Sequence, residues 1–139
     1  MALAKSAKVR LLKGVPLFSG CSKAELEELA VRTDEVHLGE GKVLAREGRP
    51  GREFFVLVDG AVRVSRTGRT LADLGAGDWF GEIALLTGGP RTATVTALTP
   101  IRVLVLTDRA FRRVVETMPA IALKVLASVG TRLSRDATS

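Results

Sequence analysis

The hydrophobic positions of the chain change their spacing twice, which divides the sequence into three parts. Over residues 4–31 apolar residues recur at helical spacing, and Ser22 and Glu25 have the spacing of a capping box at a helix start. Over residues 34–106 short apolar or alternating runs are separated by glycine-rich turns. Helical spacing returns over residues 108–135, where Pro119 suits the first position of a last helix. We therefore expect helices at both ends of a β-rich middle.

The middle part contains eight or so short predicted strands at regular spacing, with turn residues between them. Residues 54–58 are wholly apolar, as expected of a buried strand, and Asp59 with Gly60 after it is a strong signal for a hairpin. Evenly spaced short strands favour an antiparallel roll or barrel. The prediction is a mainly β protein: an antiparallel β-roll, similar to a double-stranded jelly roll, flanked by N-terminal and C-terminal helices.

Length and composition agree with one domain over residues 1–139. The chain has 139 residues, of which 46% are hydrophobic and 26% charged, a balance typical of globular proteins. It has a single cysteine and a single histidine, so a disulfide framework and a metal site rich in either residue are excluded. Neither a secretory signal nor a run of about 20 apolar residues is found, so we expect a cytoplasmic protein with no membrane segment.

The charge pattern and the catalytic side chains exclude two further classes. The net charge is +6, but the basic residues are spread along the chain and no aromatic residues are interleaved with them. We therefore expect no specific nucleic-acid partner. No Ser/His/Asp, Cys/His or paired-carboxylate arrangement suggests catalysis, so the chain is not expected to be an enzyme or to need a metal or cofactor.

The strongest candidate for a binding site is the segment of residues 80–95. Gly81 opens a short helical turn, a Gly-Gly-Pro loop follows, and Arg91 begins the next strand. A glycine, a helix N-terminus and an arginine fork together favour an anion. Glu82 is a carboxylate inside this anion-seeking site, which makes sense if the ligand carries hydroxyl groups beside its phosphate. Gly51, in contrast, is assigned to a turn that needs a positive φ angle.

Residues 74–86, LGAGDWFGEIALL, and residues 90–95, PRTATV, closely resemble the cyclic-nucleotide-binding domain in sequence and internal spacing. That family includes regulatory subunits of cyclic-AMP-dependent protein kinase, cyclic-nucleotide-gated channels and the bacterial catabolite activator protein. The resemblance extends over roughly residues 15–130, including the order of helices, roll and helices. In this family the glycine-glutamate-to-arginine segment is the phosphate-binding cassette, which the resemblance assigns to residues 80–93.

The resemblance also implies a role for each matching residue. Glu82 would accept a hydrogen bond from the ribose 2′-hydroxyl, and Arg91 would pair with the negative cyclic phosphate, roles that suit an acceptor-only carboxylate and a guanidinium. Taken alone, Glu82 and Arg91 could equally be a structural ion pair at a helix end. The implied backbone donors to the phosphate are Gly81, Ile83, Ala84, Thr92 and Ala93.

The ligand and the output stay open at the level of sequence. Threonine at position 92 is associated in the family with tolerance of cyclic GMP, because its hydroxyl can reach the guanine amino group, so cyclic AMP and cyclic GMP are both candidates. The C-terminal helices are expected to repack over the base, with Arg132, Leu133 or Arg135 as the covering residue. The effector is unknown, and the C-terminal helix is a candidate surface for a homodimer. The alternative function is a module of the same fold that binds no ligand and serves interaction or dimerisation.

Overall fold

The computed structural model describes the backbone of residues 5–138 and the side chains of residues 5–132. The N-terminal part comprises helix α1 (Lys5–Lys13), a 3-10 turn (Pro16–Phe18) and helix α2 (Lys23–Arg32). The predicted capping box is present at the start of α2. The backbone N–H of Ser22 donates to Glu25 Oε1 at 2.8 Å, and the backbone N–H of Glu25 donates to Ser22 Oγ at 3.2 Å.

Eight strands form two antiparallel sheets, which confirms the predicted β-roll. The first sheet has the order β1-β8-β3-β6 and the second has the order β2-β7-β4-β5. The strands are β1 (Asp34–Leu38), β2 (Val43–Ala45), β3 (Glu53–Asp59), β4 (Val62–Arg66), β5 (Arg69–Leu74), β6 (Trp79–Phe80), β7 (Thr94–Ala97) and β8 (Ile101–Thr107).

The middle of strand β3, residues 54–58, is apolar because it lies between two hydrophobic clusters, whereas Glu53 and Asp59 at its ends are exposed. Phe55 and Leu57 belong to a hydrophobic cluster inside the roll, together with side chains of the second sheet. Phe54 and Val56 point the other way, into a second cluster that joins the first sheet to the helices. Alternate side chains of a strand point to opposite faces, so a strand between two cores needs no polar positions.

The predicted hairpin at Asp59 and Gly60 is wrong. A turn does follow β3, but β3 pairs with β6 and β8 in the first sheet, whereas β4 pairs with β5 and β7 in the second. The turn therefore carries the chain from one sheet to the other, which a local turn signal cannot distinguish from a hairpin. The tight hairpin is β4–β5, in which Arg66 is opposite Arg69.

Three helices complete the chain: α3 (Glu82–Thr87), α4 (Asp108–Thr117) and α5 (Pro119–Thr138). Phe111 of α4 packs on Phe54 with ring centroids 4.7 Å apart, which ties the helices to the roll. Ile121 and Val125 of α5 are buried in the same cluster, in agreement with the predicted helical spacing over residues 108–135.

Over residues 5–132, no single helix is long and apolar enough to cross a membrane. Helix α4 and the described part of α5, which are bent by 112° at their junction, pass that test of length and composition only as a pair.

Candidate functional site

The segment between β6 and β7 is a short helix with a glycine at each end. Gly81 precedes α3 in a left-handed conformation with φ 100°, and Gly88 follows it with φ 73°. Such conformations are readily available to glycine and costly for other residues. The chain turns sharply at both glycines, so Glu82, the first residue of α3, and Arg91, just before β7, face the same space.

Arg91 is held in place by backbone carbonyl groups of two neighbouring segments. Its Nη2 donates to the Glu53 carbonyl oxygen at 2.8 Å and its Nη1 donates to the Gly81 carbonyl oxygen at 3.2 Å. The guanidinium also lies 5.8 Å from the centre of the Phe55 ring. The residue is only 7% exposed. Its orientation is therefore set before any ligand arrives.

The positive charge of Arg91 has no direct counter-ion in the part of the chain whose side chains are described. No carboxylate there lies within 4.0 Å of its nitrogen atoms. Burial lowers the pKa of Arg91, while the more distant charges of Glu53 and Glu82 act in the opposite direction. An arginine does not lose its proton in proteins, so this is a buried cation that lacks a paired anion.

Two glycines make room for this arginine. A Cβ atom on Gly51 would lie 2.6 Å from Arg91 Nε, and one on Gly81 would lie 2.9 Å from Arg91 Nη1 and 2.8 Å from the Glu53 carbonyl oxygen. Gly51 does not have a positive φ angle, so its assignment to a turn that needs one was wrong. Its role is close packing against a side chain 40 positions along the chain, which turn chemistry cannot reveal.

Glu82 is fully buried, and only one of its two carboxylate oxygens is satisfied. Arg132 of α5 donates from Nη1 to Glu82 Oε1 and from Nη2 to the Trp79 carbonyl oxygen at 2.5 Å. Glu82 Oε2 has no hydrogen-bond partner among the described residues. The ion pair of Glu82 is therefore with Arg132, and the pair with Arg91 that the sequence left open is not formed.

A cavity of about 70 Å³ lies between these groups. All the predicted ligand-binding residues line it, and so does Arg132, one of the three predicted covering residues. The side chains of Leu133 and Arg135 lie outside the described residues. The predicted residues at the cavity are Gly81, Glu82, Ile83, Ala84, Arg91, Thr92, Ala93 and Arg132.

Sequence reasoning missed the apolar wall of the cavity. It is formed by Val64 of β4 and by Leu71, Ala72 and Leu74 of β5. The alternating pattern predicted these strands but not the face that the cavity would use, because that depends on which strands become neighbours. Arg66, which donates from Nε to the Thr92 carbonyl oxygen at 2.7 Å, lines the cavity as well and was not predicted.

The fold is that of a known class of domain. The family model of the cyclic nucleotide-binding domain matches residues 35–118. The chain therefore belongs to the cyclic nucleotide-binding domain family.

Relatives of the chain include regulatory proteins of several kinds. It is 33% identical to a cAMP-dependent protein kinase regulatory subunit of Mycosarcoma maydis, over 81% of this chain and 23% of the relative. It is 36% identical to a cyclic nucleotide-gated potassium channel of Rhizobium etli, over 81% of this chain and 32% of the channel. Among solved structures, it resembles cAMP-bound PfPKA-R with a TM-score of 0.79 and 27% identity, covering 91% of this chain and 47% of that one. The chain thus spans a third or less of the two curated relatives.

The packing of Gly81 against Arg91 predicts a difference between two glycine substitutions. Both Gly81→Ala and Gly88→Ala force alanine into a left-handed conformation, which costs roughly 1–2 kcal/mol. Only at Gly81 does the new Cβ meet backbone and the guanidinium, whereas nothing lies within 4 Å at Gly88. We expect Gly81→Ala to lower the free energy of unfolding by about 1–3 kcal/mol more than Gly88→Ala, measured by urea denaturation. Equal losses would contradict the packing role of Gly81.

Proposed function

We propose that the chain is a cyclic-nucleotide sensor or regulatory domain that binds the sugar phosphate of its ligand in the cavity between Glu82 and Arg91. One observation carries the proposal: the cavity places a buried cation without a paired anion beside a buried carboxylate with one unsatisfied oxygen. A buried charge without a counter-ion and a buried oxygen without a hydrogen-bond donor both cost free energy unless a ligand supplies the missing partner. A ligand with one negative charge and a nearby hydroxyl group would supply both partners.

In this proposal Arg91 pairs with the cyclic phosphate. The phosphodiester carries one negative charge, which balances one guanidinium, and planar guanidinium groups suit phosphate oxygens. Because the two Nη atoms already hold carbonyl groups, the arginine is preorganised and loses little conformational freedom on binding. Backbone N–H groups of the cassette, residues 80–93, supply the remaining donors, at Gly81, Ile83, Ala84, Thr92 and Ala93.

In the same proposal Glu82 binds the ribose of the ligand. Its free Oε2 accepts the ribose 2′-hydroxyl, while Oε1 keeps its contact with Arg132. An ionised carboxylate has lone pairs for both donors, so the ribose and the C-terminal helix share one side chain. This sharing gives the site a direct physical connection to α5.

The base lies against the apolar wall of Val64, Leu71, Ala72 and Leu74. Cyclic AMP is the first candidate, because the similar kinase subunit and the similar solved structure carry cyclic AMP in their names. Thr92 lines the cavity and is exposed, so its hydroxyl is available to a guanine amino group, which keeps cyclic GMP as the second candidate.

Ligand binding shifts the position of α5. The cavity of about 70 Å³ is smaller than ordinary ligand pockets, which have volumes of about 300 Å³ or more. Among the side chains that are described, Arg132 is the one that lines the cavity from a C-terminal helix, so moving α5 enlarges the site without breaking a sheet. In the bound state Arg132 contacts Glu82 Oε1 and closes the site as a lid. The ligand favours the docked helix in proportion to its differential affinity for the two arrangements.

The sensor has no catalytic step in this proposal and acts in the cytoplasm on an effector domain or protein.

A second candidate is an interaction module that binds no ligand. It is favoured by Leu123 and Leu126 of α5, which are 68% and 65% exposed and lie on one side of the helix. These leucines are also the surface through which α5 would form a homodimer.

Titration calorimetry with cyclic AMP and cyclic GMP tests the ligand and the role of Arg91. We expect at least one nucleotide to bind below millimolar concentration. Arg91→Ala should cost about 2–5 kcal/mol, a loss of at least about thirtyfold, because the phosphate is left without its cation. Arg63→Ala is the matched control, since Arg63 pairs with Asp73 outside the cavity and its loss should change affinity by less than about twofold. If neither nucleotide binds below millimolar, the interaction module replaces the sensor.

The role of Glu82 is tested with 2′-deoxy cyclic AMP. A hydrogen bond to a charged group is worth about 1.5–3 kcal/mol, so the deoxy ligand should bind the parent protein at least about tenfold more weakly than cyclic AMP. In Glu82→Leu, which removes the acceptor at similar volume, the two ligands should bind equally. If Glu82→Leu still binds cyclic AMP more tightly than its 2′-deoxy analogue, the ribose 2′-hydroxyl is bound by a residue other than Glu82.

Hydrogen exchange of α5 tests the lid. Cyclic nucleotide should slow amide exchange in α5 of the parent protein, because the docked helix becomes more populated. Arg132→Ala should remove most of this protection, since the helix no longer contacts Glu82. Thr131→Ala is the control, because the Thr131 hydroxyl donates only to the Ala127 carbonyl oxygen of the same helix. Equal protection in all three proteins would argue against Arg132 as the lid.

A further inference from the structure

Six exposed arginines lie on the surface of the roll and of α4, and none of them lines the cavity between Glu82 and Arg91. In the part of the chain whose side chains are described, none of their guanidinium groups donates a hydrogen bond or forms an ion pair. Elsewhere, Arg63, Arg102 and Arg132 each have a carboxylate partner. We call these six residues the arginine strip: Arg46, Arg49, Arg52, Arg109, Arg112 and Arg113.

The arginine strip is continuous because three neighbouring grooves share its members. Arg112 lines both the groove between α2 and α4 and the groove outside the α3–β7 loop. Arg52 lines that second groove and a third one beside β2. The Asp108 backbone N–H donates to the Arg52 carbonyl oxygen at 2.8 Å, which joins the start of α4 to the β2–β3 loop.

Four carboxylates line the three grooves, fewer than the six arginines of the strip: Glu28, Glu53, Asp108 and Glu116. In the groove between α2 and α4, Glu28 is already paired with Arg32 at 3.2 Å, which leaves Glu116 beside the three arginines of α4. The same groove has a volume of about 880 Å³, and Val31 in its lining is 74% exposed. A surface of unpaired guanidinium groups next to an exposed apolar side chain is suited to a partner that carries both negative charge and an apolar side chain.

We propose that the arginine strip docks an acidic polypeptide segment, whose carboxylates pair with the guanidinium forks and whose apolar side chain covers Val31. Arginine presents planar donors that match carboxylates in a bidentate manner. No aromatic residue lines the three grooves, so the surface lacks the stacking platforms of a single-strand nucleic-acid site. The proposal goes beyond cyclic-nucleotide binding and holds whether or not a nucleotide binds.

The test uses the full chain and a labelled synthetic peptide of consecutive glutamates with one central leucine. Fluorescence anisotropy should detect binding of this peptide and no binding of a matched peptide of glutamines with the same leucine. The triple variant Arg109→Gln, Arg112→Gln, Arg113→Gln should weaken binding about tenfold. The matched control is Arg10→Gln, Lys13→Gln, Arg69→Gln, which removes the same charge from exposed positions outside the grooves and should leave affinity within about twofold.

Three results would overturn the proposal. Equal loss in the two triple variants would show a general charge effect and no docking site. Equal binding of the glutamate and glutamine peptides would show that charge is not recognised. Tighter binding of a single-stranded oligonucleotide or of phosphatidylserine vesicles, lost only in the α4 variant, would assign the surface to another class of partner. Circular dichroism of both variants establishes that they are folded. Replacing the central leucine of the glutamate peptide by glutamine should weaken binding, because Val31 then loses its apolar partner, and unchanged binding would remove Val31 from the site.

Discussion

The buried guanidinium of Arg91 is the constraint around which the rest of the site is arranged. Two backbone carbonyl groups hold it, Gly51 and Gly81 leave space for it, and its charge stays without a paired anion. A cation in this position costs desolvation energy that carbonyl dipoles offset only in part. The two hydrophobic clusters of the roll supply stability that offsets this cost, and in the proposed function the uncompensated charge is what attracts an anionic ligand.

Glu82 is paired with Arg132, so it connects the cavity that contains Arg91 to helix α5. One oxygen is held by Arg132 of α5 and the other is left for a ligand. A site built in this way reports occupancy to a distant element through one side chain and needs no extended pathway. The proposed function also accounts for a carboxylate in an otherwise anion-seeking site, because in that proposal Glu82 binds the sugar and the helix and not the phosphate.

Local chemistry was enough to predict the helices and the β-roll, whereas the cassette was implied by the resemblance to a family. The capping box at Ser22 and Glu25 depends on residues three positions apart, and the apolar run of β3 depends on alternate residues, so both can be recognised in a short window. The turn at Asp59 and Gly60 was recognised as a turn but assigned to the wrong connection. Whether a turn joins partners in one sheet or crosses to another depends on strands far away in sequence.

The family of the fold is already indicated by the order of amino acids, because residues 74–86 and 90–95 resemble that family in sequence and in internal spacing. The environment of the site residues is decided by contacts between distant segments. Arg132 meets Glu82 across 50 positions, and Arg91 meets the Glu53 carbonyl across 38. Burial, an unsatisfied oxygen and an unpaired charge are properties of such contacts, so they exist only once the two sheets and α5 have packed together.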